Sequence, residues 1–198
     1  MIKPDYNQAF LKMKTNPNYK FPERVFISMN DAKEILTSAF DFFINKLELN
    51  ETFTWIPEYD KIAEWLTDNN GTGLFLYGAN GRGKTLLSKI ILPAIFLQHF
   101  RKVIHLCDAQ EMNRTLDNLL NKKILSLDDI GTEDIINNYG EKRWALPELI
   151  DLAEKRGNLL IITTNLNANA IELKYGLRTI ERIKKTCTRI KFDGKSLR

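Results

Sequence analysis

Eight consecutive residues, Gly78-Ala79-Asn80-Gly81-Arg82-Gly83-Lys84-Thr85, restrict the fold of this chain more than any other stretch. They satisfy the phosphate-loop pattern G-x-x-x-x-G-K-[ST] in full, with an apolar run before them at 74–77 and a helical pattern after them. The glycines let the backbone curl until consecutive N–H groups face a phosphate, and the following helix adds the positive end of its dipole. Such a loop works between a strand and a helix, so the chain is expected to be α/β. Gly78, Asn80, Gly81, Arg82 and Gly83 form the expected cradle. Lys84 is expected to reach the β- and γ-phosphates, and the Thr85 hydroxyl to bind Mg2+.

The rest of the sequence carries the same alternation. Apolar runs at 74–77, 103–106, 124–127, 159–163 and 188–192 alternate with helical stretches at 83–98, 108–120, 141–156 and 167–186, the last broken at Gly176. This pattern signals a parallel sheet covered on both faces. Pro93 and Pro147 fall inside two of the helical stretches and predict a kink or a restart at each.

The run Ile124-Leu125-Ser126-Leu127 ends in Asp128-Asp129. Strand ends on the carboxyl edge of a parallel sheet line the ligand crevice, so Asp128 is expected beside the metal and Asp129 beside the γ-phosphate, where a carboxylate polarises the attacking water. A further run, at 159–163, leads to Thr164-Asn165. The Asn165 amide either orients water in the same crevice or caps the helix that begins near Asn167, and the strand pattern alone leaves both readings open.

Composition sets the outer bounds. The chain has 198 residues, 43% hydrophobic, with a net charge of +4, which excludes large-scale disorder. Its longest apolar run, 90–97, contains Pro93 and falls far short of the roughly twenty residues of a membrane span. Met1-Ile2-Lys3-Pro4-Asp5 leads into polar sequence and not into a secretory h-region, so a cytoplasmic protein without a membrane partner is expected. Cys107 and Cys187 lack the spacing of a zinc site and read as free thiols. Charge is uneven: from Lys174 to Arg198 there are nine basic residues against two acidic ones. Such a stretch is either a solvated face or a surface that follows a phosphate backbone.

Residues 1–52 read as a helical N-terminal extension, with the remainder, 53–198, as one α/β domain. Ser28-Met29-Asn30-Asp31 has capping-box spacing, and Leu36, Phe40, Phe43 and Leu47 behind it form an apolar stripe. That stripe either packs on the domain or receives a partner. A second helix is expected from Pro57 to Asp68, with Tyr59, Ile62, Ala63 and Leu66 on one side and Asn69-Asn70-Gly71 as its stop.

Together, the phosphate loop, Leu-Asp-Asp-Ile-Gly (127–131), Thr-Thr-Asn (163–165), Tyr-Gly-x-Arg-x-x-x-Arg (175–182) and Phe-Asp-Gly-Lys-Ser-x-Arg (192–198) resemble the DnaC-like and IstB-like helicase-loader group of AAA+ ATPases. The resemblance covers about residues 70–198. It implies an AAA+ P-loop fold with a five-stranded parallel sheet of order 5-1-4-3-2. It also implies Asn165 as sensor 1, Arg182 as an arginine finger reaching a neighbouring subunit's ATP, with Arg178 one turn earlier, and Arg198 as the sensor 2 arginine. The implied activity is hydrolysis of Mg2+-bound ATP in the loading of a replicative helicase onto single-stranded DNA. A transposition helper that recruits a transposase is the alternative within the group. A P-loop nucleotide kinase is the alternative from another class, although Thr-Thr-Asn and the arginine pattern stand where a kinase needs an acceptor pocket and lid.

Overall fold

The computed structural model describes Gln8, Leu11 and residues 23–47, 53–133, 136–138 and 141–197. The helix α1 (Ala32–Lys46) and α2 (Pro57–Thr67) precede strand β1 (Gly73–Gly78). The phosphate loop leads into α3, residues 84–100. Then come β2 (His105–Asp108), the short α4 (Ala109–Met112) and α5 (Leu116–Leu119), and β3 (Ile124–Ile130). A hairpin of β4 (Ile136–Asn138) and β5 (Glu141–Arg143) leads to α6 (Ala145–Arg156) and β6 (Leu159–Thr164). The chain continues through α7 (Ala168–Tyr175) and α8 (Leu177–Thr186) to β7 (Cys187–Phe192).

The five long strands form one all-parallel sheet, in the order β2-β3-β6-β1-β7. Counted within that sheet, the order is 2-3-4-1-5, as the resemblance implied. Burial on both faces explains the near-continuous apolar strands. Leu74, Leu76, Leu159, Ile161, Ile190 and Phe192 face one core with α1, α2 and α3. Phe75, Leu160, Ile162, Leu125, Leu127 and Cys187 face the other with α6, α7 and α8.

Several local expectations change. The α1 stripe is Ala32, Leu36, Phe40 and Ile44, all buried, whereas Leu47 is exposed. Asp31, not Ser28, stands at the N-cap, and its side chain makes no capping bond. The first helical crossover holds Pro93 by passing through a π turn, Leu87–Ile91, before restarting at Leu92. A π turn relieves the clash of the proline ring with the preceding turn, which explains the restart. Pro147 marks a true start: α6 begins at Ala145, where a proline's missing N–H costs nothing, and 141–143 belong to the hairpin instead. The expected helix at 108–120 is two short ones, and the strand expected at 103–106 lies at His105–Asp108, leaving Val103 exposed.

Asn69 does more than stop α2. Its buried amide donates to the Val25 and Thr72 carbonyls, at 2.9 and 3.0 Å, and its carbonyl accepts from the Ile27 and Gly71 N–H groups. Residues 25–27 are thereby fastened to the base of the domain. Both cysteines are free and buried, and burial pushes the Cys187 thiol up to about 12. No helix of the described residues is long and apolar enough to cross a membrane.

Candidate functional site

The carboxyl edge of the sheet opens into a cleft of about 430 Å3. Asn80, Gly81, Arg82, Gly83, Lys84 and Thr85 line one wall, and Asp128, Asp129, Thr163 and Asn165 the other. Strand order is the cause: β6 lies between β1 and β3, so its polar end falls between the phosphate loop and the acidic pair.

The loop is tightly held. Gly78 has φ +111, and a Cβ there would lie 2.4 Å from the Phe192 carbonyl oxygen, so only glycine fits. Lys84 is buried, and its ammonium donates to the Gly78 and Ala79 carbonyls at 2.9 and 2.7 Å. Burial pulls its pKa below that of a free lysine, while Asp129 and Asp128 oppose the shift. The Arg82 side chain is spent elsewhere. It pairs with Glu58 of α2 at 3.1 and 3.2 Å and donates to the Lys195 carbonyl at 2.9 Å. What Arg82 offers a phosphate is therefore its backbone. Glu58 also accepts from the Asp193 N–H at 2.9 Å, and the Leu197 N–H donates to the Gly81 carbonyl at 2.9 Å. One buried ion pair thus ties α2, the loop and the C-terminal segment together.

The two aspartates are held differently. Asp128 is buried, and its Oδ1 accepts from Ser88 Oγ at 2.8 Å and Thr163 Oγ1 at 2.7 Å. Lys89 Nζ lies 4.0 Å from the other oxygen, Oδ2, and 2.5 Å from Asp108 Oδ1. Asp129 has φ +56, a left-handed conformation rare for residues other than glycine, which turns its side chain out of the strand's alternation. Its Oδ1 accepts from Asn165 Nδ2 at 2.9 Å and its N–H donates to Thr163 Oγ1 at 2.8 Å. Burial, with Asp128 alongside, raises the Asp129 pKa above the ordinary carboxylate range, against the pull of Lys84. Of the two readings of Asn165, the crevice is the one observed; Asn167 caps α7, accepting from the Ala170 N–H at 2.9 Å.

The arginines separate. Both lie on α8, but Arg182 is only 17% exposed and pairs with Asp151 and with Glu154 Oε2, the latter at 3.0 Å, both on α6. Arg178 is 79% exposed, with Asp151 no nearer than 3.9 Å. Arg198 lies outside the described residues.

Several residues of the site were not read as site residues in the sequence, Phe40 and Tyr59 among them, which stood there only as apolar helix faces. Ser88 lies one helical turn beyond Lys84, a spacing that already places it on the cleft side. Phe40, Ile44, Phe53 and Tyr59 form an apolar wall beside the loop, with Phe40 stacked on Phe53 at 4.8 Å. Glu133, buried just past the acidic pair, accepts from the Gly131 N–H at 2.7 Å and from the Tyr175 hydroxyl, while Lys174 donates to the Gly131 carbonyl at 2.7 Å. That cluster joins the loop after Asp129 to the helix preceding Arg178. Its signal was faint, since one Glu and one Tyr 42 residues apart show no periodicity.

Sheet order and cleft together define the α/β fold of AAA+ P-loop proteins. The protein-family model for Novel STAND NTPase 3 (nSTAND3) matches residues 53–193, and the chain belongs to that family. Among solved structures it is similar to DnaI, at 22% identity and a TM-score of 0.51 over 64% of this chain and 73% of that one. The DnaC helicase loader aligns at 19% identity and a TM-score of 0.48, over 84% of this chain and 93% of that one. AMPPCP-bound DnaA from Aquifex aeolicus aligns at 16% identity and a TM-score of 0.49, over 73% and 50%. At 22% identity the likeness to DnaI shows the fold alone. No curated protein sequence matches the chain.

Proposed function

We propose that the chain binds ATP in this cleft, hydrolyses it to ADP and phosphate, and couples the cycle to loading a replicative helicase onto single-stranded DNA. One observation carries the hydrolytic part: Lys84, Thr85, Asp128, Asp129 and Asn165, from three separate segments, line a single cleft. Lys84 exchanges the Gly78 and Ala79 carbonyls for the β- and γ-phosphates. The Thr85 hydroxyl and Asp128 Oδ2 form an all-oxygen donor set that suits Mg2+, with Asp128 Oδ1 already spent on Ser88 and Thr163. When bound, Mg2+ neutralises charge on the phosphates. Asp129 takes a proton from the attacking water, and Asn165 fixes that carboxylate's orientation. The wall of Phe40, Ile44, Phe53 and Tyr59 receives the base.

The arginine finger moves from Arg182 to Arg178 in this reading. Arg182 is occupied by two carboxylates of its own subunit, which stiffens α8, whereas the exposed Arg178, held only by a long contact to Asp151, can swing to a neighbour's γ-phosphate. Exposed Leu173 and Leu177 precede it and suit a contact between subunits. Helicase loading rests on the motif resemblance at 127–131, 163–165, 175–182 and 192–198. In the basic C-terminal stretch, Lys184, Lys185 and Lys191 pair with Glu181, Glu154 and Asp193, whereas Arg189 and Lys195 are exposed. Surface pairs of this kind are weak and exchange readily for DNA phosphates.

The test is ATP turnover without additions, with single-stranded DNA, with duplex DNA and with small phosphate acceptors. The reading expects phosphate release that rises with protein concentration and with single strands. Stimulation by duplex alone would indicate the transposition helper. Transfer to a small acceptor at a concentration-independent rate would indicate a kinase.

A further inference from the structure

Asp108 and Asp128 stand side by side at the carboxyl edge, in register across β2 and β3. Between them reaches Lys89, which follows Thr85 by four residues on α3 and so shares its face of the helix. Its Nζ lies 2.5 Å from Asp108 Oδ1 and 4.0 Å from Asp128 Oδ2. Since Asp128 Oδ1 already takes hydrogen bonds from Ser88 and Thr163, Oδ2 is the oxygen left for a cation, and it is the one that Lys89 faces.

We propose that Lys89 competes with Mg2+ for Asp128 Oδ2, and that Asp108 is the anchor that holds Lys89 back, so that this pair sets the Mg2+ concentration at which the cleft takes up nucleotide. The inference rests on the Mg2+–nucleotide reading of the cleft and deepens it. A fixed positive charge beside a ligand oxygen lowers the local negative potential and so repels a divalent ion. Holding the ammonium on Asp108 keeps Oδ2 open; letting it go allows the lysine to close on Asp128. Side-chain exposures of 32% for Lys89 and 52% for Asp108 mean that water and salt damp the effect, which is expected to be several-fold. Lys89 and Asp108 act through Asp128 and are positioning residues.

The opposite signs expected for the two partners make the test sharp. Binding of a fluorescent ATP analogue is followed during Mg2+ titration at constant ionic strength, for the full chain and for Lys89→Gln, Asp108→Asn and the double variant. Lys89→Gln should lower the half-saturating Mg2+ by about threefold to tenfold, and Lys89→Met, which keeps the aliphatic stem, should match it. Asp108→Asn should raise that midpoint several-fold, and the rise should vanish in the Lys89→Gln background, because Asp108 works through Lys89. Mg2+-dependent binding with an unmoved or raised midpoint in Lys89→Gln overturns this inference alone. So does an Asp108→Asn shift of equal size in both backgrounds, which would mean a direct field on the ion. Wild-type binding that ignores Mg2+ overturns the reading of the cleft and this inference with it.

Discussion

The phosphate-loop wall of the cleft and the arginine-bearing face of α8 both depend on ion pairs, but of different kinds. At the loop, Glu58 and Arg82 are each 9% exposed, and their partners span three distant segments. Between α6 and α8, Asp151 and Glu154, each about a quarter exposed, share four cations, Lys155, Arg178, Arg182 and Lys185. A buried pair cannot lose one member without stranding the other, whereas surface partners trade places at little cost. The first region is thus built to stay fixed around a ligand, and the second to be adjusted by what docks on it.

That contrast breaks most visibly at the two arginines. Arg178→Ala should leave nucleotide affinity intact and reduce turnover about a thousandfold, the scale of an arginine finger. Arg182→Ala should cost far less, since its work is on its own α6. Mixing Arg178→Ala with Asp129→Asn subunits should restore activity at interfaces that combine an intact Asp129 with an intact Arg178. A larger loss from Arg182→Ala, with recovery only in its mixtures, would return the finger to Arg182.

Next in size is the buried pair. Glu58→Ala leaves Arg82 without its carboxylate and should lower stability by about 3–5 kcal/mol in chemical denaturation. Asp151→Ala, on the more exposed network where Lys155, Arg178 and Arg182 reach solvent or Glu154, should cost less, about 1 kcal/mol. Equal losses would erase the distinction between the regions.

A subtler effect concerns protons. Asp129 must be ionised to take one from water, and its pKa is already raised, so turnover should fall on the acid side at higher pH than an ordinary carboxylate allows. Asn165→Ala removes a donor that favours the charged form and should move that acid limb further up. An unmoved limb would separate Asn165 from the base.

The same contrast explains what the sequence could show. The phosphate loop and the acidic pair were legible because each lies at the end of an apolar strand, and a parallel sheet brings strand ends to one edge whatever the connections do; for Asn165 the strand pattern left a helix cap equally open, and only the motif resemblance pointed to the crevice. Sheet order followed from the motif resemblance, not from periodicity. The α1 stripe holds at Leu36 and Phe40 and drifts only at its C-terminal end, because Phe43 and Ile44 are both apolar and only the packing selects Ile44. Glu58 and Arg82 were invisible as a pair, since 24 residues separate them and Arg82 reads as part of the phosphate cradle. Arg182 and Arg178 share a helix face, and only the carboxylates of α6, brought in by tertiary packing, tell them apart.

The central claim is that Asp129 drives hydrolysis of a nucleotide held by the loop, and Asp129→Asn tests it most directly, with ATP affinity and single-turnover hydrolysis measured on the same preparation. The account predicts affinity unchanged within about twofold and hydrolysis slower by ~100-fold or more, because the amide keeps the side chain's shape and loses its basicity. Wild-type hydrolysis in that variant, with nucleotide still bound, would contradict it.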